Sequence, residues 1–309
     1  MNENKKTFYA VLIFFFVGFA LIQKKQSETN SDITENEIMS HIKYLSHDQR
    51  GGRHPGSRGS KDVISYITKK FKSYGVEPGN GNSYVQPFDF KTGIKLNDSN
   101  SVNFNDQFLF PGEDYIPLSF STNGKFSGEA VFAGYGFQIN SDSLRWDDYK
   151  SIDARGKWVV IMRHSPERNK QNSIFLKHSP LYKKMIIARD QGALGVIFIS
   201  QTEDKELFPF KYLEGYKDCR IPVLHLSNAK SDELLKDTNW SRKKIQAYMN
   251  KNMESLTFSL PNINIKATVS LSPIKSRAAN VIGLIKTGNR KFRDEYIVIG
   301  AHFDHVGRG

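Results

Sequence analysis

The chain has 309 residues, 39% of them apolar and 25% charged, which suits a globular protein of up to two ordinary domains and excludes a disordered one. Its formal charge of +12 is spread as short pairs such as Lys69-Lys70, Lys183-Lys184 and Lys243-Lys244. With no basic stripe and no interleaved aromatic platform, this argues against nucleic acid as a partner and reads as solvated surface with some attraction to anionic membrane headgroups. The single cysteine, Cys219, rules out an intrachain disulfide and a cysteine-type zinc site.

In chain order, residues 8–22 carry no charge and lie between Lys5-Lys6 and Lys24-Lys25. That run is short for a spanning helix and right for the core of a secretion signal, cleaved or kept as an anchor. Residues 1–25 are therefore expected to direct the remainder out of the cytoplasm, secreted, periplasmic or membrane-anchored. Residues 26–32 read as a polar linker. Thr34, with Glu37 three residues on, predicts a helix through about Tyr44 with Ile38, Ile42 and Leu45 on one face. Residues 51–60 form a glycine-rich loop with Arg53 and Arg58, lacking a Walker lysine-serine ending and a preceding strand, so it reads as a tight loop feeding the next helix. Ser60 is the expected cap of that helix, with Val63, Ile64, Ile67 and Phe71 as its core face and Gly75 as its end.

Residues 119–250 look like a separate module within a peptide chain that begins at 26–118 and resumes at 251–309. Short strands are expected at 129–137, 157–163, 195–200 and 221–226, with one helix at about 180–191, giving an α+β insert with its own core. His164, His178 and His225 share no spacing and read as surface or packing histidines. The turn Trp146-Asp147-Asp148-Tyr149 has too few oxygen donors at regular spacing for a calcium loop.

After Pro261, apolar alternation resumes at 263–271 and 279–285, and residues 287–290 turn the chain into an apolar run at 296–301. That run predicts a strand covered on both faces of an α/β sheet. His302, Asp304 and His305 follow it directly, where ligands bind at the edge of such sheets. On an extended segment His302 and Asp304 face the same way, so the carboxylate can hold the imidazole as a metal ligand's partner does. The residues alone leave open a neutral cap on the strand.

The heptapeptide Ala-His-Phe-Asp-His-Val-Gly at 301–307 resembles the zinc signature of the co-catalytic di-zinc aminopeptidases, the group that also contains glutamate carboxypeptidase and the transferrin receptor. The resemblance implies His302 as a zinc ligand and Asp304 as the residue orienting it, with no ligand role for His305. Residues 45–88, with Gly52-Arg53-x-x-Gly56-Ser57, resemble the amino-terminal signature of the same enzymes. Residues 132–136, 146–149, 153–157, 188–195 and 221–223 resemble the protease-associated domain, a non-catalytic insert that covers or shapes the approach to the active site.

Together they imply a mixed-sheet α/β zinc exopeptidase domain with a protease-associated insert. The implied activity is removal of amino-terminal residues from peptide or protein substrates by metal-activated water. In that family the bridging carboxylate, the remaining ligands and the glutamate base follow the His-x-Asp motif, whereas here only five residues follow Asp304. The expectation is an amino-terminal portion, truncated after the first metal motif and inactive by itself. The alternative is a secreted, non-enzymatic binding module built on the protease-associated domain.

Overall fold

The computed structural model describes residues 33–308 apart from 106, 169, 205, 206 and 293; the expected signal or anchor at 1–25 lies outside the described residues. The chain divides into two units, one comprising residues up to Phe90 with Ser276–Gly309, the other Lys91–Lys275.

In the first unit, Thr34 caps helix α1 (Glu35–Ser46) through the expected capping box, its Oγ1 accepting from the Glu37 amide while the Glu37 carboxylate accepts from the Thr34 amide at 3.0 Å. That bond holds the Glu37 carboxyl below its ordinary pKa. A 3₁₀ turn (Asp48–Arg53) leads to helix α2 (Arg58–Ser73). The cap of α2 is Ser57, not Ser60: Ser57 is extended and its hydroxyl accepts from the Ser60 amide at 3.2 Å, so Ser60 already lies inside the first turn. Val63 is fully buried on the α2 face. Tyr44 of α1 stacks on Tyr66 of α2 with ring centroids 3.8 Å apart, and the Arg50 guanidinium covers Tyr44. β1 (Glu77–Pro78) and β2 (Val85–Leu96) follow.

In the second unit, the strands are β3 (Ser101–Phe104), β4 (Gln107–Leu109), β5 (Tyr115–Pro117), β6 (Gly124–Ala133), the hairpin β7 (Gln138–Ser141) and β8 (Leu144–Asp147), and β9 (Trp158–Met162). Helix α3 (Leu181–Asp190), β10 (Gly195–Ile199), β11 (Val223–Leu226), α4 (Asn228–Leu235), α5 (Arg242–Asn252) and β12 (Thr257–Val269) complete it. Eight strands form one mixed sheet in the order β4-β3-β12-β6-β9-β10-β11-β5, parallel from β6 to β11 and antiparallel outside.

The continuous apolar runs of β9 and β10 are explained by burial on both faces. Trp158, Val160 and Met162 enter one core with Leu234, Ile245 and Met249, while Val159 and Ile161 enter a second core with Met185 and Ala188. The Trp158 indole N–H is buried and donates to the Ile265 carbonyl at 3.1 Å.

This unit is wider than the expected 119–250. β3 and β4 precede that span, and β12, expected in a resumed domain, pairs with β6 in one register from Asn264 to Val269 after an irregularity between Leu260 and Asn264. Ladder hydrogen bonds, which sequence position does not reveal, assign these strands to the central sheet.

The chain then returns to the first unit through β13 (Leu271–Val281), which pairs with β2, and β14 (Gly283–Leu284), which pairs antiparallel with β1. The strand expected at 296–301 does not form: these residues have no regular structure, and Ile297 and Ile299 are each 95% exposed. An apolar run becomes a buried strand only where neighbours take up its peptide groups and side chains, and no described strand pairs with this one.

Candidate metal site

The two sequence motifs that lie some 250 residues apart meet in the first unit. The Arg53 Nε donates to the Phe303 carbonyl at 2.6 Å, and its Nη1 donates to the Leu45 carbonyl in the last turn of α1. The Arg53 carbonyl accepts from the His305 amide at 3.3 Å and the Gly52 carbonyl from the Gly307 amide at 3.2 Å. Arg308 adds a bond from its Nη2 to the Asp48 carbonyl at 2.9 Å. Gly52 has φ +65°, and a Cβ there would stand 2.3 Å from the Gly307 carbonyl oxygen, so only glycine lets the loops approach this closely. Arg53 itself has φ +54°, a costly conformation for a side-chain-bearing residue that the surrounding bonds maintain.

On this support His302 is 81% exposed and Asp304 46%. The His302 Nδ1 lies 3.0 Å from the Asp304 backbone carbonyl and 3.9 Å from its carboxylate Oδ1. A carbonyl only accepts, so this bond places the proton on Nδ1 and leaves the Nε2 lone pair open to solvent. That tautomer is the one an Nε2 metal ligand needs, and it is held by the main chain of the residue expected to hold it, with the side chain farther away. His305 contributes its amide to the loop. For zinc, the donor chemistry of one open imidazole fits a single ligand position. Among the described residues, no three His, Cys, Asp or Glu side chains gather as a metal-binding group, so they do not by themselves make a closed site.

The titratable residues of the second unit serve its interior. His225 is fully buried; the Phe208 amide donates to its Nδ1 at 3.2 Å, so Nε2 carries the proton and donates to the Ser200 hydroxyl at 2.9 Å. Burial, with Arg163 nearby, pushes its pKa down to about 3. Ser200 also accepts from Arg163 at 3.1 Å, so the pair lacks the base that a serine nucleophile requires. His164 bonds Asp204 at 3.0 Å, and His178 packs edge-on against Phe137.

Asp148 accepts from the Phe137 amide at 2.8 Å, the Trp146 indole at 2.8 Å and the Ser255 hydroxyl at 2.6 Å. It is a buried anchor for the turn at 133–137, where Gly134, at φ +46°, passes so close that a Cβ would lie 2.5 Å from its Oδ1. Lys184, also fully buried, donates to the Met162 and His164 carbonyls, and burial holds its pKa well below the ordinary lysine value. Burial likewise pushes the Cys219 thiol up to about 11, which leaves it protonated and unreactive.

The sequence singles out His302 and Asp304, and residues 51–60 as a loop feeding α2 within a stretch that resembles the amino-terminal signature, but it assigns Arg53 no contact with 303–307. The available signal was the pair Gly51-Gly52 ahead of Arg53, a run that permits a left-handed turn and close backbone approach.

No protein-family model and no curated protein matches the chain. Among solved structures, an aminopeptidase from Aneurinibacillus sp. strain AM-1 aligns with a TM-score of 0.40 at 21% identity, covering 82% of this chain and 48% of the other. A zinc aminopeptidase from Bacillus subtilis aligns with a TM-score of 0.36 at 18% identity, covering 84% of this chain and 49% of its own. A peptidase M28 precursor from Shewanella amazonensis gives 0.35 at 18% identity, with coverage of 87% and 57%. The chain thus spans about half the length of the first of these structures.

Proposed function

We propose that the chain carries the first metal motif of an exported zinc-dependent aminopeptidase, with His302 as a zinc ligand through Nε2 and Asp304 as the residue that orients it. The observation supporting this reading is the meeting of the two motifs: the loop at 52–53 grips the loop at 303–307, and the His302 ring stands in solvent with Nδ1 bonded and Nε2 open. Zinc in such a site supplies Lewis-acid polarisation of a scissile carbonyl and an acidified water. The remaining ligands, a bridging carboxylate and a general base would come from outside the described residues. Export rests on the uncharged run at 8–22. Within this reading the unit Lys91–Lys275 contains the protease-associated insert, and the substrates are peptides or proteins.

The test is zinc binding by the 309-residue chain, followed through the ring resonances of ¹⁵N-labelled histidine. Millimolar zinc is expected to shift the His302 Nε2 signal, and His302→Gln to abolish the response. A wild-type ring unmoved by zinc overturns the metal assignment. With one open imidazole supplied, the purified chain is expected to release no anilide from an aminoacyl anilide in a zinc-dependent manner.

A second reading, a non-enzymatic binding module, is favoured by one observation. Lys91–Lys275 contains an open cleft of about 490 Å³ whose lining includes Arg168, Gln201, Glu203, Gln246 and Asn250. A peptide that binds the chain with the same affinity whether residue 302 is His or Gln would support that reading.

A further inference from the structure

We infer that Arg53 is the positioning residue for the His302–Asp304 loop, its guanidinium tying the carbonyls of Leu45 and Phe303 together. The inference rests on the reading of His302 as a metal ligand, and the geometry makes it specific. The Phe303 carbonyl belongs to the peptide group joining Phe303 to Asp304, so an Nε–H gripping that oxygen at 2.6 Å fixes the plane from which the Asp304 main chain departs. The Asp304 carbonyl in turn holds the His302 Nδ1 at 3.0 Å. That carbonyl belongs to the next peptide group, whose His305 amide donates to the Arg53 carbonyl at 3.3 Å, so the imidazole tautomer and direction descend from Arg53 through two successive peptide planes, each held by one of its bonds.

Arg53 is itself anchored at its far end. Its Nη1 takes a carbonyl in the last turn of α1, where helix carbonyls lack partners and the helix dipole favours a cation. The flat, forked guanidinium reaches both oxygens at once, which a lysine ammonium on a flexible stem does not reproduce. Its own main chain adds the bond from the His305 amide, and Gly52 adds that from the Gly307 amide. A residue serving only to cap α1 would need neither of the two contacts that Arg53 makes to residues 303–305.

The experiment compares the 309-residue wild type with Arg53→Lys, Arg53→Gln and Gly52→Ala. Amide hydrogen exchange is read over 296–308, and the His302 tautomer by ¹⁵N chemical shift with selectively labelled histidine. In Arg53→Gln, exchange of the His305 and Gly307 amides is expected to rise about tenfold or more while Lys91–Lys275 is unchanged. The His302 ring is expected to move from the Nδ1–H tautomer to a mixture, with Arg53→Lys between wild type and Arg53→Gln.

Unchanged exchange and tautomer in Arg53→Gln overturn the inference. Should far-UV circular dichroism show that Arg53→Gln unfolds α1 and α2, Gly52→Ala carries the test, because it keeps the guanidinium and spoils the neighbouring contact. It is expected to raise Gly307 exchange most and His302 tautomer mixing least, and the reverse ranking overturns the assignment to Arg53. Zinc addition separates the two claims. A wild-type ring indifferent to zinc removes the metal reading, while the zinc-free exchange and tautomer measurements decide the role of Arg53 by themselves.

Discussion

Replacing Asp148 by alanine should destabilise the Lys91–Lys275 unit more in acid than at neutral pH, the reverse of the usual behaviour of a paired surface carboxylate. Burial raises the Asp148 pKa from 3.8 to about 6 despite its three donors and the nearby Lys184. A raised folded-state pKa means that the folded protein binds the proton more tightly than the unfolded chain. Stability from this group is therefore full below pH 3.8 and is lost as pH rises towards 6. At 1.36 kcal/mol per pH unit, the interval amounts to about 3 kcal/mol. Against this, alanine leaves the buried Phe137 amide and Trp146 indole without their acceptor, about 1–3 kcal/mol each.

The expected loss on Asp148→Ala is thus about 2–6 kcal/mol near pH 4, shrinking by about 3 kcal/mol above pH 6. All three tryptophans, Trp146, Trp158 and Trp240, lie in this unit, so urea unfolding followed by tryptophan fluorescence reports on it selectively. Comparing variant with wild type at each pH cancels the other titrating groups. A difference that is independent of pH between 4 and 7, or that grows with pH, would refute the reasoning.

His225 should show the opposite slope. Its folded pKa of about 3 lies below the ordinary 6.5, so its contribution is present above pH 6.5 and is lost by about 1.4 kcal/mol per pH unit as pH falls. The stability gap between wild type and His225→Leu should narrow from pH 7 to pH 4, and a constant gap in urea titrations counts against a buried neutral imidazole. Ser57→Ala should cost α2 about 1 kcal/mol, seen as faster amide exchange in its first turn, whereas the same substitution at Ser60 should leave the cap intact. Ile297→Lys and Ile299→Lys should change thermal stability by less than about 0.5 kcal/mol and reduce self-association in light scattering. A loss of several kcal/mol there would mean that these side chains are covered.

Much of the fold is local and could be read directly. Thr34 and Glu37 specify a helix start because both partners of the capping box lie within one turn. The runs at 158–162 and 195–199 announce strands because β-prone apolar residues follow one another without interruption. The α2 start slipped by one turn because Ser57 and Ser60 are both competent caps, and only the backbone conformation at Ser57 distinguishes them. The candidate ligand His302 was legible from its spacing to Asp304, but its support was not. A guanidinium and a carbonyl 250 residues apart carry no mutual signal in a single sequence.

By itself, then, the sequence determined the elements and the residue types able to do chemistry, since periodicity, caps and donor spacing are properties of neighbouring residues. Tertiary structure alone decided that β12 joins the central sheet, that the apolar run at 296–301 stays unpaired, and that Arg53 reaches Phe303. Each of these depends on hydrogen bonds between distant segments, which are satisfied or left open only when the whole chain is in place.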